Sequence, residues 1–427
     1  MQIGSLTPQH EMTAGKLRMT TYLNRLTALT IVTAATAAGT SGGAYASNEA
    51  LQNIFFAACG NASGALAARC NETNDGLGNL SGDSETSLNP SQVLSGHQQS
   101  TREKLSRSAA DETSQDSPAN TIEMGKWGVT LNAGRSWESF DREQDIDNER
   151  GYDADSTWAL LGADYRWSDT THLGVLLRWE ENDLDYDATN PGRNFTPPTS
   201  SGEVNSDALG VGVYLVSWIN DSWYIDTKVG FSQGDRTYRR NAVFQESNRA
   251  VPQTDSVTEG DTDLTELWAS ALVGTDWQSG AWSWGVSAEL SYIRTEIDAF
   301  DERDLSGSGL AMSFSDADQS SVVGRLNGSA QRAIATDFGV AVPYGRIGWV
   351  HDFRGDGVEI SARYLLDQGN NVLDLRADDP DDGYGVANIG LSLVFTHGWM
   401  AYIEGEYWAG YDDLDRYSIA LGFRKEL

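Results

Sequence analysis

From Lys126 to the carboxyl terminus the sequence alternates with a period of two. In "KWGVTLNAGRSW", Trp127, Val129, Leu131 and Ala133 share one face, and Gly128, Thr130, Asn132 and Gly134 the other. "WYIDTKVGFS" sets Trp223, Ile225, Val229 and Phe231 against Asp226, Lys228, Gly230 and Ser232. "VANIGLSLVF" sets Ala387, Ile389, Leu391, Leu393 and Phe395 against Asn388, Gly390 and Ser392. A strand turns successive side chains to opposite faces, so this pattern specifies sheet with one apolar and one polar face.

The spacing of these runs decides between a barrel and a sandwich. Strands are expected near 126–140, 154–167, 171–185, 203–219, 222–238, 263–277, 282–296, 317–333, 338–353, 383–396, 399–410 and 415–425. Their connections alternate between tight ("SDT", "NDS", "QSGA", "ATD", "HG") and long (about 141–153, 186–202, 239–262, 297–316 and 354–382). That is the pattern of an up-and-down transmembrane barrel with short turns on one side and long loops on the other. A soluble β-sandwich has no reason to alternate in this way. The expected strands exceed the 9–11 residues that lipid requires, so they should project beyond the bilayer.

The aromatic residues follow the same geometry. Trp167, Trp218, Trp223, Trp277, Trp282 and Trp399 stand beside the tight turns, the expected place of an interfacial girdle. The opposite parity carries the charges expected in the lumen: Arg178, Glu180, Asp226, Lys228, Glu289, Glu404, Glu406 and Arg424. The long loops hold much of the remaining acid, in "DREQDIDNERGYDAD", "DAFDERD" and "RADDPDD", for which solvation is the simplest role. A formal charge of −32 argues against binding nucleic acid.

Upstream of the strands the composition changes. Residues 1–46 read as a secretory signal: Lys16, Arg18 and Arg25 precede the uncharged Leu26–Ala38 run, and Ala44-Tyr45-Ala46 supplies small residues before a cleavage at Ser47. Met12 and Met19 offer later starts within this region. No later stretch approaches 18 consecutive apolar residues, so an exported chain of this kind is soluble or crosses lipid with strands.

Residues 47–121 form a separate segment. "LQNIFFAACGNASGALAARC" has apolar residues at helical spacing and suits two short helices about Gly60-Asn61. Cys59 and Cys70 are the only cysteines, and an even pair in an exported chain points to a disulfide. A metal site would need further ligands, and His97 is the only histidine in that region. Asn89 as N-cap, Pro90 at the first helical position and Gln92 open an expected helix over 90–110, about 30 Å long. It is polar nearly all round, so it belongs in water or in a polar lumen.

Residues 122–427 resemble the translocator domain of the autotransporters, the type V secretion proteins. The late stretches carry the resemblance: "VPYGRIGWVHDF", "VANIGLSLVF", "MAYIEGEYWAG" and "YSIALGFR", in the family's order. The "LNPSQ" stretch and the cysteine pair are similar to the helical segment that precedes such barrels in some members. The resemblance implies a twelve-stranded antiparallel all-β barrel in a Gram-negative outer membrane. The implied partners are membrane lipid and lipopolysaccharide, with assembly as a monomer by the barrel-assembly machinery and periplasmic chaperones. It implies no enzyme activity, cofactor or metal. The implied role is to translocate or display the chain's own short amino-terminal segment; a plugged structural or adhesin-like barrel acting through its acidic external loops is the competing role, and a rim-site outer-membrane hydrolase stands third.

The family's closing strand ends in an aromatic residue and serves as an assembly signal. Here Tyr417, Ile419, Leu421, Phe423 and Leu427 occupy its outward positions, with Leu427 in place of the aromatic and Lys425 in place of another. The final "KEL" also imitates a retention tag, which requires a soluble protein in a eukaryotic lumen. Three motifs invite catalytic or adhesive readings: "SGDSE" at Ser81–Glu85, Arg354-Gly355-Asp356, and His351 beside Asp352. The first lies in a segment too short to build an oxyanion hole, the second is an isolated loop tripeptide, and the third fits a family strand end.

Overall fold

A computed structural model describes residues 48–70, 126–141, 151–187, 202–244, 254–353, 359–376, 383–411 and 413–427. The expected leader (1–46), the expected helix (90–110), the Ser81–Glu85 motif and the Arg354–Asp356 tripeptide lie outside the described residues.

Twelve antiparallel strands close into a barrel. They are β1 (Trp127–Phe140), β2 (Tyr152–Ser168), β3 (Thr171–Tyr186), β4 (Gly202–Trp218), β5 (Trp223–Phe244), β6 (Thr254–Ser279), β7 (Trp282–Ile297), β8 (Ala317–Arg332), β9 (Gly339–Asp352), β10 (Gly383–Phe395), β11 (Trp399–Ala409) and β12 (Leu414–Glu426). Each pairs with its sequence neighbours, and β12 pairs with β1 in register from Gly128↔Glu426 to Phe140↔Leu414. The Leu427 amide donates to the Trp127 carbonyl at 2.8 Å, so the last residue completes the seam. Closure leaves the barrel wall without an edge strand, which is what lets a sheet stand in lipid.

The turn chemistry explains the tight connections. His397 and Gly398 both have positive φ, 66° and 70°, as a two-residue hairpin between twisted strands requires. The strands agree with the expected ones to within about two residues, except β5 and β6. Those two run to 22 and 26 residues and stay paired out to Phe244↔Thr254. Most of the stretch read as a long loop at 239–262 is therefore a projecting hairpin. Two further long connections also contain structure. Phe300–Asp301, Met312–Phe314, Glu359–Tyr364 and Leu373–Arg376 form a separate four-stranded sheet at the loop end.

The outer wall is apolar and uncovered. Ile347 and Ile389 are 72% and 75% exposed, in company with Leu209, Val211 and Val213 on β4 and Leu290 on β7. Such a continuous belt is tolerable only against hydrocarbon. The inner wall is not uniformly polar, as the alternation alone suggests. Trp158, Tyr214, Tyr224 and Trp268 are buried inside it. The Trp268 ring lies against Gly212 and Gly230, where a β-carbon would collide with it. These inward glycines leave room for large rings in the lumen.

Ahead of the barrel, α1 (Asn48–Cys59) and α2 (Gly64–Cys70) form a helical hairpin. The Cys59–Cys70 disulfide joins their ends across a Cα separation of 5.5 Å.

Candidate functional site: the lumen and its outer mouth

The expected inward charges are buried inside the barrel wall, and the structure supplies the partners the sequence does not name. Arg178 donates to Glu266 at 2.8 Å and to its strand neighbour Glu180. Lys228 stands 3.3 Å from Asp226. Arg325 approaches Glu406 at 3.4 Å, and Asn388 donates to the same carboxylate at 2.6 Å. Arg346 lies 3.9 Å from Glu404. Glu289 faces Arg325 directly in the β7–β8 register. Near the turn end, Arg424 holds Asp164 through two hydrogen bonds of 2.7 and 2.9 Å. Tyr214 donates to the same carboxylate at 3.2 Å.

Sequence reasoning missed Asp164, Glu138, Glu266, Arg236, Arg325, Arg346 and Arg416. Their parity was readable: Asp164 shares a face with Trp158 and Leu160, and Glu138 with Ser136. Their partners were not readable, because Arg416 and Glu138 are 278 residues apart. Burying a charge is tolerable only with a partner, so each inward charge signalled an unseen partner.

The outward residues separate as follows. Trp167, Trp223, Trp277, Trp282 and Trp399 are exposed on the outer wall near the tight turns. Trp218 is a correction. The even-numbered residues of β4 point inward, so Trp218 folds against Tyr224 and Leu272, its ring 4.9 Å from that of Tyr224. Tyr417, Ile419, Leu421, Phe423 and Leu427 are exposed, the first four on the outer face of β12. The Lys425 ammonium sits 5.3 Å from the Trp399 ring centre and donates to the His397 carbonyl. A cation on an interfacial ring keeps its charge in the headgroup region while its stem covers apolar wall. His351 and Asp352 are sequence neighbours on a strand and so point to opposite sides. His351 packs edge-on against Phe353, while Asp352 accepts from the Ser321 hydroxyl at 2.7 Å. The pair does not form a reactive couple.

At the loop end the barrel meets the helical hairpin. The Ser63 amide donates to the Leu366 carbonyl at 2.9 Å, and the Gln368 amide to the Asn61 carbonyl at 3.1 Å. Arg69 donates to the Ser308 carbonyl at 3.2 Å. Ile54, Phe55, Ala58 and Leu66 join one apolar cluster with loop residues such as Met312, Phe314 and Tyr364 and with inner-wall residues at the rim such as Phe140, Tyr152 and Trp408. Full burial of a side chain the size of Leu or Phe contributes about 1.5–3 kcal/mol. The acidic loop run "DERD" is not simply solvated. Glu302 takes a two-pronged grip from Arg240, at 3.1 and 2.6 Å. Asp304 accepts from the amides of Ser306, Gly307, Ser308 and Gly309. Partial burial raises the Asp304 pKa, but these donors outweigh it and hold the carboxyl below its ordinary value. Burial pushes the Tyr364 phenol, beneath Phe55, up to about 12.

A closed barrel with an apolar wall, inward ion pairs and a loop-end hairpin defines a protein of the outer membrane. The chain belongs to the autotransporter family: the family model "Autotransporter beta-domain" matches residues 129–406. Among solved structures it is similar to the translocator domain of the autotransporter NalP from Neisseria meningitidis. That match has a TM-score of 0.54 and 15% identity, covering 79% of this chain and 99% of that one. The beta domain of the Bordetella autotransporter Brka matches at TM-score 0.48 and 20% identity, over 71% of this chain and 100% of that one. No curated protein matches the chain significantly. The chain is thus an integral outer-membrane barrel of autotransporter type in a Gram-negative envelope.

Proposed function

We propose that the barrel carries its own amino-terminal segment to the outside and keeps the disulfide-clipped hairpin on its outer mouth. One observation supports this most directly. The hairpin docks at the loop end, whereas β1 begins at the turn end, where Trp127 pairs with Tyr165 and accepts from Leu427. Long loops lie outside and tight turns in the periplasm in barrels of this type. Residues 71–125 then have to connect the two ends. Polar chain cannot run through lipid with its backbone unsatisfied, so this reading requires a polar lumen. The inward charges give such a chain a hydrated, hydrogen-bonding wall. Assembly of the barrel as a monomer by the barrel-assembly machinery, with chaperones and lipopolysaccharide as its surroundings, goes with this reading, as does the absence of catalysis.

The test is an epitope inserted between Ser47 and Asn48. Antibody should label intact cells. Labelling only after the outer membrane is permeabilised overturns display.

A second reading has its own support in the apolar cluster that covers the mouth: a plugged barrel acting as a surface structure. Reduction of the disulfide should raise single-channel conductance in planar bilayers if the hairpin is the plug. Unchanged high conductance before and after reduction counts against it.

A further inference from the structure

Two arginines project from the same face of β5, four residues apart, in unlike surroundings. Arg240 presents its Nε–Nη2 edge to Glu302, the side-on, two-pronged arrangement that a guanidinium offers a carboxylate. Among the described residues Arg236 presents the same edge to nothing: its Nε and Nη2 are buried without a hydrogen-bond partner. Its third nitrogen, Nη1, reaches the Tyr238 hydroxyl, at 3.4 Å. The residue is 1% exposed. A guanidinium stays charged at any pH a protein experiences, so it cannot escape burial by losing a proton.

Arg236 lines an inner-wall recess that is partly open to solvent. Ser136, Ser156, Ser206 and Asn182 contribute polar groups to it, with Leu184 and Val204 as apolar floor. One buried carboxylate also lines this recess, that of Glu138, and it is already engaged. Its Oε1 accepts from Tyr152 at 2.6 Å and its Oε2 from Arg416. Asp183 belongs to the outward parity of β3 and is exposed. The recess therefore carries one more cationic group than its own buried carboxylate balances.

We infer that the free edge of Arg236 is a carboxylate-binding site in the lumen, taking the group in the manner that Glu302 is taken by Arg240. The carboxylate comes either from an acidic side chain of this chain between positions 71 and 125 or from a free small carboxylate. The site stands independently of the display reading, since a free carboxylate fills it whichever way the connector runs.

The experiment uses the full-length refolded barrel in detergent and follows its thermal midpoint by tryptophan fluorescence. Sodium acetate is titrated against sodium chloride at equal ionic strength, for the native chain and for Arg236→Met. A saturable rise in midpoint with acetate, present in the native chain and lost in Arg236→Met, establishes a free-carboxylate site. If acetate has no effect, every acidic residue between 71 and 125 is replaced by its amide. A fall in midpoint that vanishes in the Arg236→Met background, with an acetate response appearing in the neutralised chain, establishes that the chain fills its own site. Absence of an Arg236-dependent effect in both arms overturns the inference and leaves the guanidinium to water. Should Arg236→Met fail to fold, Arg236→Lys serves: it keeps the charge and removes the two-pronged edge, so the acetate response should weaken at least tenfold in concentration. An undiminished response in Arg236→Lys also overturns the assignment.

Discussion

At the turn end of the barrel, Arg424 grips Asp164 across the closing seam, 2.7 and 2.9 Å from the two carboxylate oxygens. At the loop end, Phe55, Leu66, Met312 and Phe314 bury one another over the mouth. The turn end is held by strands paired along their length and by directional polar bonds between them. The loop end is held by segments far apart in the chain, joined by apolar contact and a few backbone hydrogen bonds. The comparison teaches that one barrel is closed by two means. Register fixes the turn end, whereas at the loop end a hairpin from outside the barrel sheet packs on the loops.

The comparison can be broken at either end. Arg424→Met leaves the Asp164 carboxylate buried with its main partner gone, a loss of about 3–5 kcal/mol. The fraction of heat-modifiable folded barrel should fall sharply, while loop-end protease resistance in the barrels that do fold stays unchanged. Loss at both ends together would show that the two closures are coupled.

Replacing both Cys59 and Cys70 by Ser should act in the opposite sense. A short closed loop contributes about 2–4 kcal/mol. Heat-modifiable barrel should be retained, and added protease should cut the hairpin at least tenfold faster. Equal hairpin resistance would mean that packing alone seats it.

A smaller effect is expected from acid. The Asp304 carboxyl titrates below its ordinary value when folded. Its stabilisation is therefore complete above the unfolded carboxylate pKa, near 4, and is lost as pH falls through the depressed folded value. Hydrogen exchange at the Ser306–Gly309 amides, corrected for intrinsic rates, should accelerate in that window and nowhere above it. Asp304→Asn should remove the dependence. A transition near neutral pH would implicate another group.

The smallest effect concerns the last residue. Leu427 is exposed and its amide already completes the seam, so Leu427→Phe changes only the outer wall. Membrane assembly should be unchanged or slightly improved. A marked drop in folded barrel would count against an aromatic-type assembly signal at this end.

Much of the barrel was legible because a strand has a period of two and its turns have their own residues. Trp127, Val129 and Leu131 point outward for the same reason that Gly128 and Thr130 point inward, and the tight "HG" turn announces its positive φ. Trp218 was misread because nearness to a turn was weighed above parity. The loop sheet was illegible because its strands are two to six residues long and pair only with one another.

The sequence by itself determined which residues face lipid and which face inward, the number of strands and the order in which they pair, since these follow from local periodicity and connection length. It also pointed to the Cys59–Cys70 link. Only the tertiary structure decided which inward charges meet: Arg178 with Glu266, Arg416 with Glu138, Arg424 with Asp164. It alone also seated the hairpin against the loop-end segments and, among the described residues, left one edge of Arg236 without a partner. Such contacts depend on distances across a closed lumen and at its mouth, between residues up to 303 positions apart, and no period in the sequence encodes those distances.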